Sequence, residues 1–308
     1  MELSHLPVMP KEVLDLLGVS RGGRFIDGTL GLGGHAELLL ASSPEVQLLG
    51  IDRDGEAIRH ARVRLERFGD RVRLVRGCYG DMAKFAAEQG WDHVDGILLD
   101  LGVCSGQIDE PGRGFSHRFD GPLDMRMDRR SPISAATLLN ENSEEELGRI
   151  LREYGEERHA RRIARAAVER RQTKPWERTL EFAEMANRLG DRRRGGVPPA
   201  TRCFQALRIA VNDELGQLQK ALRIAVILLR QNGRVVVISF HSLEDRMVKH
   251  FFRAEAAACV CPPELPVCNC GKKVTLRVVT TKPVRPTDAE VAENRRAASA
   301  RLRAAERP

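Results

Sequence analysis

Short apolar runs recur along the first hundred residues: RFID (24–27), VQLLGID (46–52), VRLV (72–75) and VDGILLD (94–100). Between them lie stretches of helical period, such as 11–19 and 54–68, the second with Ala57, Ile58, Ala61, Leu65 and Phe68 on one face. Buried strands alternating with helices predict an α/β, doubly wound, Rossmann-like parallel sheet. The next such run, RVVVISF (234–240), comes after a gap from 101 to 233 that is far too long for one strand-to-helix crossover. Ser143 ahead of Glu144–Glu146 starts a helix by capping. A second is expected over 156–171, and a third from Thr179 to Gly190. The basic linker GDRRRGGVPP (190–199) follows, and 201–230 returns as one helix or a helix pair. The expected organisation is a sheet domain over 1–105 and 199–308, with an inserted helical, substrate-recognition domain over 106–198. A Cys-rich loop, a strand-like stretch at 275–280 and a basic tail belong to the last part.

The stretch RFIDGTLGLGGH (24–35) sets four glycines, Gly28, Gly31, Gly33 and Gly34, between the first strand and a helix. A strand entering such a turn places unpaired helix N–H groups at the carboxyl edge of the sheet, where a Cβ would obstruct a ligand. The turn is expected to cradle a nucleotide or nucleoside. Asp52, ending the second strand, is placed to accept hydrogen bonds from ribose hydroxyls or to cap the helix after it. Asp27, Asp52, Tyr79 and Asp100 should surround one crevice at the strand ends, with Tyr79 either stacked on adenine or packed in its loop. Gly31-Leu32-Gly33-Gly34-His35-Ala36 matches the dinucleotide fingerprint only with Ala in the sixth place. DGTLGLGG lies closer to the acid-then-glycines pattern of S-adenosylmethionine-dependent methyltransferases.

Fifty Lys plus Arg against 43 Asp plus Glu give a net charge of +7, compatible with a nucleic-acid partner. Seven cysteines, an odd number, in a chain without a leader-like segment do not form a disulfide framework. No apolar run reaches the roughly 20 residues of a membrane helix, so a cytoplasmic protein without a membrane partner is expected.

Seven blocks then carry a resemblance: HLPVMPKEVLDLL, IDGTLGLGGH, IDRD, GILLDLGVCSGQIDEPGRGFSHRFDGPLDMRMD, YGEERHARRIA, ATRCFQALRIAVNDEL and ISFHSLEDRMVK. Together, in order and over nearly the whole chain, they resemble the MraW family of small-subunit ribosomal RNA methyltransferases. The resemblance implies a class I methyltransferase sheet with an inserted helical domain, using S-adenosylmethionine to methylate the exocyclic N4 of a decoding-region cytidine in bacterial 16S rRNA. Its partner would be 16S rRNA within the small ribosomal subunit, with a homodimer also admitted. Carried over, the cofactor residues would be Gly33, Gly34, His35, Asp52, Tyr79, Asp100 and Gln107. Two places depart from the family pattern. Cys104 stands where a serine is expected, and Arg295 and Ala298 alter the tail, which puts any tail contact with a ligand in question.

Transfer to N4 requires acceptors for the amino hydrogens and alignment of nitrogen with the methyl group. Asp100 is the first candidate for the catalytic role, with Asp124 and His241 behind it. Asp124 and Asp128 flank Arg126 and could equally form a local salt-bridge network. His241 stands at the mouth of the 234–240 strand, ahead of an expected cap at Ser242. Basic surface for RNA could come from Arg161, Arg162, Arg165, Arg170 and Arg171, or from Arg192–Arg194. Cys259, Cys261, Cys268 and Cys270, paired as C-x-C, could close a tetrahedral zinc site, although the spacing is tight; reduced thiols or a redox bridge are the alternatives. Three other functions compete: a nicotinamide-dependent oxidoreductase, a non-catalytic ribosome-assembly factor retaining the pocket, and a DNA N4-cytosine methyltransferase. The last lacks support, because Leu101-Gly102-Val103 follows Asp100 where a Pro-Pro-aromatic motif is typical.

Overall fold

The computed structural model describes residues 7–190, 196–262 and 269–308. The chain forms two compact units, Met1–Gly102 with Gly216–Pro308, and Val103–Leu215.

In the first unit the order is α1 (Pro10–Leu17), β1 (Gly23–Asp27), α2 (Gly34–Ser42), β2 (Val46–Asp52), α3 (Gly55–Leu65), β3 (Val72–Arg76), α4 (Met82–Glu88) and β4 (Val94–Asp100). The sheet order is β3-β2-β1-β4, continued by β5 (Leu229–Ser239), β7 (Arg301–Glu306) and β6 (Arg277–Val278). Strands β1 to β5 pair in parallel, whereas β7 runs antiparallel to both its neighbours. This is the expected doubly wound, Rossmann-like sheet, with β7 as the antiparallel exception. Alternation along each strand builds two cores, one per face. Phe25, Leu48, Leu98 and Val236 point to one side, with Leu39 of α2 and Leu65 of α3. Ile26, Leu49, Leu99 and Val237 point to the other, with Met82 of α4, Leu222 of a later helix and Phe252 of the helix after β5.

The second unit contains α5 (Ser105–Asp109), α6 (Ala135–Glu141), α7 (Glu144–Glu153), α8 (Ala160–Arg171), α9 (Thr179–Leu189) and α10 (Pro199–Asn212). Ser143 caps α7, its side chain accepting from the Glu146 N–H at 3.1 Å. Trp176, fully buried, packs edge-on to Phe182 and donates through Nε1 to the Ala167 carbonyl. The sequence expectation ended the insert at 198, yet Cys203, Phe204 and Leu207 of α10 belong to this helical core. The return comes one helix later, because left-handed Asp213 (φ 49°) separates α10 from α11 (Glu214–Leu228).

After β5 come α12 (Ser242–Ala256) and α13 (Asp288–Glu293). The segment expected to be a basic tail ends instead in β7, whose Leu302, Ala304 and Ala305 are buried in the sheet. Arg301 and Arg303 of this strand converge on Asp245 of α12, Arg303 at 2.6 Å. Among the described residues no helix is long and apolar enough to cross a membrane.

Candidate functional site

The glycine turn is stitched into the ends of three strands. Gly28 donates its N–H to the Leu98 carbonyl of β4 at 2.9 Å, and Leu30 donates to Ile51 of β2 at 3.0 Å. Gly31 and Gly33 are left-handed at φ 52° and 80°, a region in which a side chain is strained. Gly33 also occupies the cap of α2 and offers no side-chain acceptor to that helix. The opening amides of α2 therefore lack a side-chain cap and carry the positive end of the helix dipole.

Asp52 fixes this turn from below. Its Oδ2 accepts from the Gly31 N–H and its Oδ1 from the Asp54 N–H, both at 2.8 Å. Burial pushes its carboxyl above the usual range, against the pull of those two amide bonds. Each carboxylate oxygen keeps further lone-pair capacity. The alternative in which Asp52 caps α3 is not what forms: Asp54 is the cap, accepting from Glu56 at 2.9 Å. Tyr79 follows β3 and lies against the turn, since a Cβ at Gly28 would come within 3.0 Å of the Tyr79 Cβ and 2.7 Å of Leu99. The Arg53 guanidinium lies 5.9 Å from its ring centroid.

Asp100, at the end of β4, is tied down through its backbone and left open at its side chain. Its N–H donates to Thr29 Oγ1 at 2.6 Å, and the next amide, Leu101, donates to the Ile238 carbonyl of β5 at 2.9 Å. Its Oδ2 lies 3.5 Å from Nε2 of the buried His35, too far for a good hydrogen bond. Both His35 Nε2 and Asp100 Oδ1 are buried without a hydrogen-bond partner. Such an atom costs about 1–3 kcal/mol, so two of them on residues beside the glycine turn point to a site completed by a ligand. Asp27 lies beneath them. Burial, opposed by His35 and the Thr29 amide and reinforced by the charges of Asp100 and Asp52, raises its carboxyl to about 7.

His241 follows the end of β5 and supplies the α12 cap expected of Ser242. Its Nδ1 faces the Glu244 N–H at 3.4 Å, while Glu244 Oε2 accepts from the Phe240 N–H at 2.9 Å. The capping box thus begins one residue earlier than the sequence suggested, because an imidazole nitrogen can accept as a serine hydroxyl does.

The remaining candidates lie in the second unit. Buried Gln107 closes the start of α5, its Oε1 accepting from the Cys104 N–H at 3.2 Å. Asp124 is held in a bidentate pair by Arg126, at 2.7 and 2.9 Å. Burial raises its carboxyl, but the Arg126 contacts outweigh this and hold it below the usual range. The arginines of α8 separate into two sets. Arg161, Arg162 and Arg165 are exposed. Arg170 lies 3.7 Å from the Trp176 ring centroid and pairs with Glu181, while Arg171 donates to the Leu139 and Asn142 carbonyls. Arg192–Arg194 and Cys268 lie outside the described residues.

The first unit thus brings together Gly33, Gly34, His35, Asp52, Tyr79 and Asp100. Sequence reasoning missed Thr29, whose hydroxyl joins the turn to β4; its place between acid and glycines in DGTLG was the available signal. It also missed Asn212, which accepts from the Met127 N–H and donates to the Met125 carbonyl, both at 2.8 Å, around a buried, left-handed Met125 (φ 59°).

A family model described as the MraW methylase family matches residues 2–308. A protein of Geobacter sulfurreducens named ribosomal RNA small subunit methyltransferase H is 54% identical over 312 residues, covering 100% of both chains. Proteins of the same name from Carboxydothermus hydrogenoformans and Symbiobacterium thermophilum are 50% and 51% identical, covering 100% and 99% of this chain and 99% and 96% of their own.

Proposed function

The chain belongs to the MraW methylase family, and we propose that it transfers a methyl group from S-adenosylmethionine to the exocyclic N4 of a decoding-region cytidine in bacterial 16S rRNA. The observation that carries this reading is the pair of buried, unpartnered atoms, His35 Nε2 and Asp100 Oδ1, beside the glycine turn. The relatives' names supply the RNA class.

The residues present fit the cofactor. The uncapped start of α2 suits a carboxylate, Asp52 retains acceptors for ribose hydroxyls, and Tyr79 offers a ring beside the turn. S-Adenosylmethionine, when bound, supplies an electrophilic methyl group. Asp100 then has the catalytic part: its Oδ1 accepts a hydrogen bond from the amino group, draws electron density toward nitrogen, and takes the proton that transfer releases. The turn and the Thr29 bond hold it still for that task. His241 is assigned to orienting the start of α12, and Asp124 to the salt bridge with Arg126.

The target base must leave its stack to be reached. Arg161, Arg162 and Arg165 offer backbone contacts on the second unit, whereas Arg170 and Arg171 are committed to holding that unit together. The cytoplasm, where ribosomal subunits assemble, is the compartment this activity requires.

The test is to incubate the protein and methyl-labelled S-adenosylmethionine with small subunits from cells lacking this gene, then digest the RNA to nucleosides for mass analysis. Label in N4-methylcytidine is expected. Label confined to another nucleoside or to protein, or cofactor binding with no transfer at all, would overturn the proposal.

A further inference from the structure

We propose that Cys259, Cys261 and Cys270 form a thiolate site for a soft tetrahedral metal ion, with Zn2+ the favoured occupant. The three sulfur atoms lie within 4.8 Å of one another. Cys270 Sγ stands 3.9 Å from Cys259 Sγ. A tetrahedral ion with metal–sulfur bonds of about 2.3 Å has sulfur–sulfur edges of about 3.8 Å, whereas a disulfide would require about 2.05 Å. The observed separation matches the spacing of co-ligands and not that of a disulfide.

The chain path explains why residues nine and eleven apart converge. Thr275 and Leu276 donate their N–H groups to the Glu255 carbonyl at 3.1 and 3.4 Å, pinching the base of the excursion between α12 and β6. Cys259 lies four residues inside one end of this loop and Cys270 five inside the other. Gly271, left-handed at φ 59° with nothing near its missing Cβ, turns the chain directly after Cys270.

Apolar packing does not account for the cluster, since Cys259 is exposed and neither of its companions is buried. Charge does suit a metal. The Cys261 N–H points to Cys259 Sγ at 3.3 Å, and Lys272 and Lys273 follow in the sequence to offset anionic ligands. Three sulfur donors select Zn2+ or another soft ion over Mg2+ or Ca2+, which take oxygen. Cys268 lies outside the described residues, and the site stands on the other three. Its role is to lock the chain ahead of β6.

The full-length protein, purified under reductant without chelator and then offered Zn2+, should retain one ion per chain by elemental mass analysis. A Cys261→Ser, Cys270→Ser double variant should retain almost none, with S-adenosylmethionine binding unchanged. Should that variant fail to fold, cobalt titration of the wild type decides: the intense visible bands of a tetrahedral cobalt–thiolate complex, saturating at one equivalent, are expected. Three results would each overturn the site: no retained zinc and no such bands in the reduced wild type, full zinc retention in the double variant, or an intact mass short by two hydrogens in protein purified under reductant.

Discussion

At residue scale the crevice depends on buried carboxyl groups at the strand ends. Asp27 is buried with its pKa raised to about 7. In the folded protein it stays protonated over a range in which the unfolded chain has lost its proton. Stability should therefore fall as pH climbs from about 4 to about 7 and level off above, each unit of the rise being worth about 1.4 kcal/mol. Asp27→Asn should flatten that slope in denaturant melts taken across the range; an unchanged slope would show that Asp27 is not its source. Asp52 holds the turn through Oδ2, which accepts from Gly31, while Oδ1 accepts from Asp54. Asp52→Ala should release Gly31 and weaken S-adenosylmethionine binding by about tenfold or more, the loss of one charged hydrogen bond, as read by calorimetry. These assignments were partly open to sequence reading. An acid at a strand end is visible in RFID, VQLLGID and VDGILLD, but which oxygen meets which amide depends on the turn's closure and is not.

At the scale of elements, β7 is where local pattern and final structure part most clearly. RLRAAE has only Leu302 as a large apolar residue, and its arginines suggest a solvated tail. The strand is specified by partners distant in sequence: Arg303 and Arg301 on Asp245, and Arg234 on Glu306. Burial raises the Asp245 carboxyl, but Arg303 and Arg301 more than reverse the effect and depress it. Its contribution to stability is thus present above the ordinary carboxylate pKa and lost as pH falls below it. Arg303→Ala, which removes one partner of a buried pair, should cost about 3 kcal/mol at neutral pH and less at pH 3, measured by urea denaturation. An equal cost at both values would remove the ion pair from the explanation. By contrast β2 and β4 were legible to the residue, because their runs are apolar on both faces as buried parallel strands must be. The Ser143 cap was legible to the residue, whereas two others shifted in position, His241 for Ser242 and Asp54 for Asp52, since neighbouring side chains compete for the same amides.

At the scale of the whole molecule, the long gap between the fourth and fifth strands led to the expectation of an insert over 106–198, whereas the compact helical unit runs from Val103 to Leu215, one helix further. No single-helix pattern could tell whether α10 packs on the helical core or on the sheet; its buried Cys203, Phe204 and Leu207 decide that. If the helical unit contacts RNA through α8, Arg161→Glu with Arg165→Glu should weaken binding to small subunits and reduce its salt dependence by about two charges, leaving cofactor affinity intact. Unchanged salt dependence would place the RNA contact elsewhere. The central claim is that Asp100 receives the amino proton during methyl transfer. It is tested most directly by comparing wild type with Asp100→Asn, which keeps a carbonyl acceptor but cannot hold the proton, in single-turnover formation of N4-methylcytidine at saturating cofactor. A fall of about a hundredfold or more in rate, with S-adenosylmethionine affinity within a few fold of wild type, is the predicted result. Transfer at the wild-type rate would contradict it.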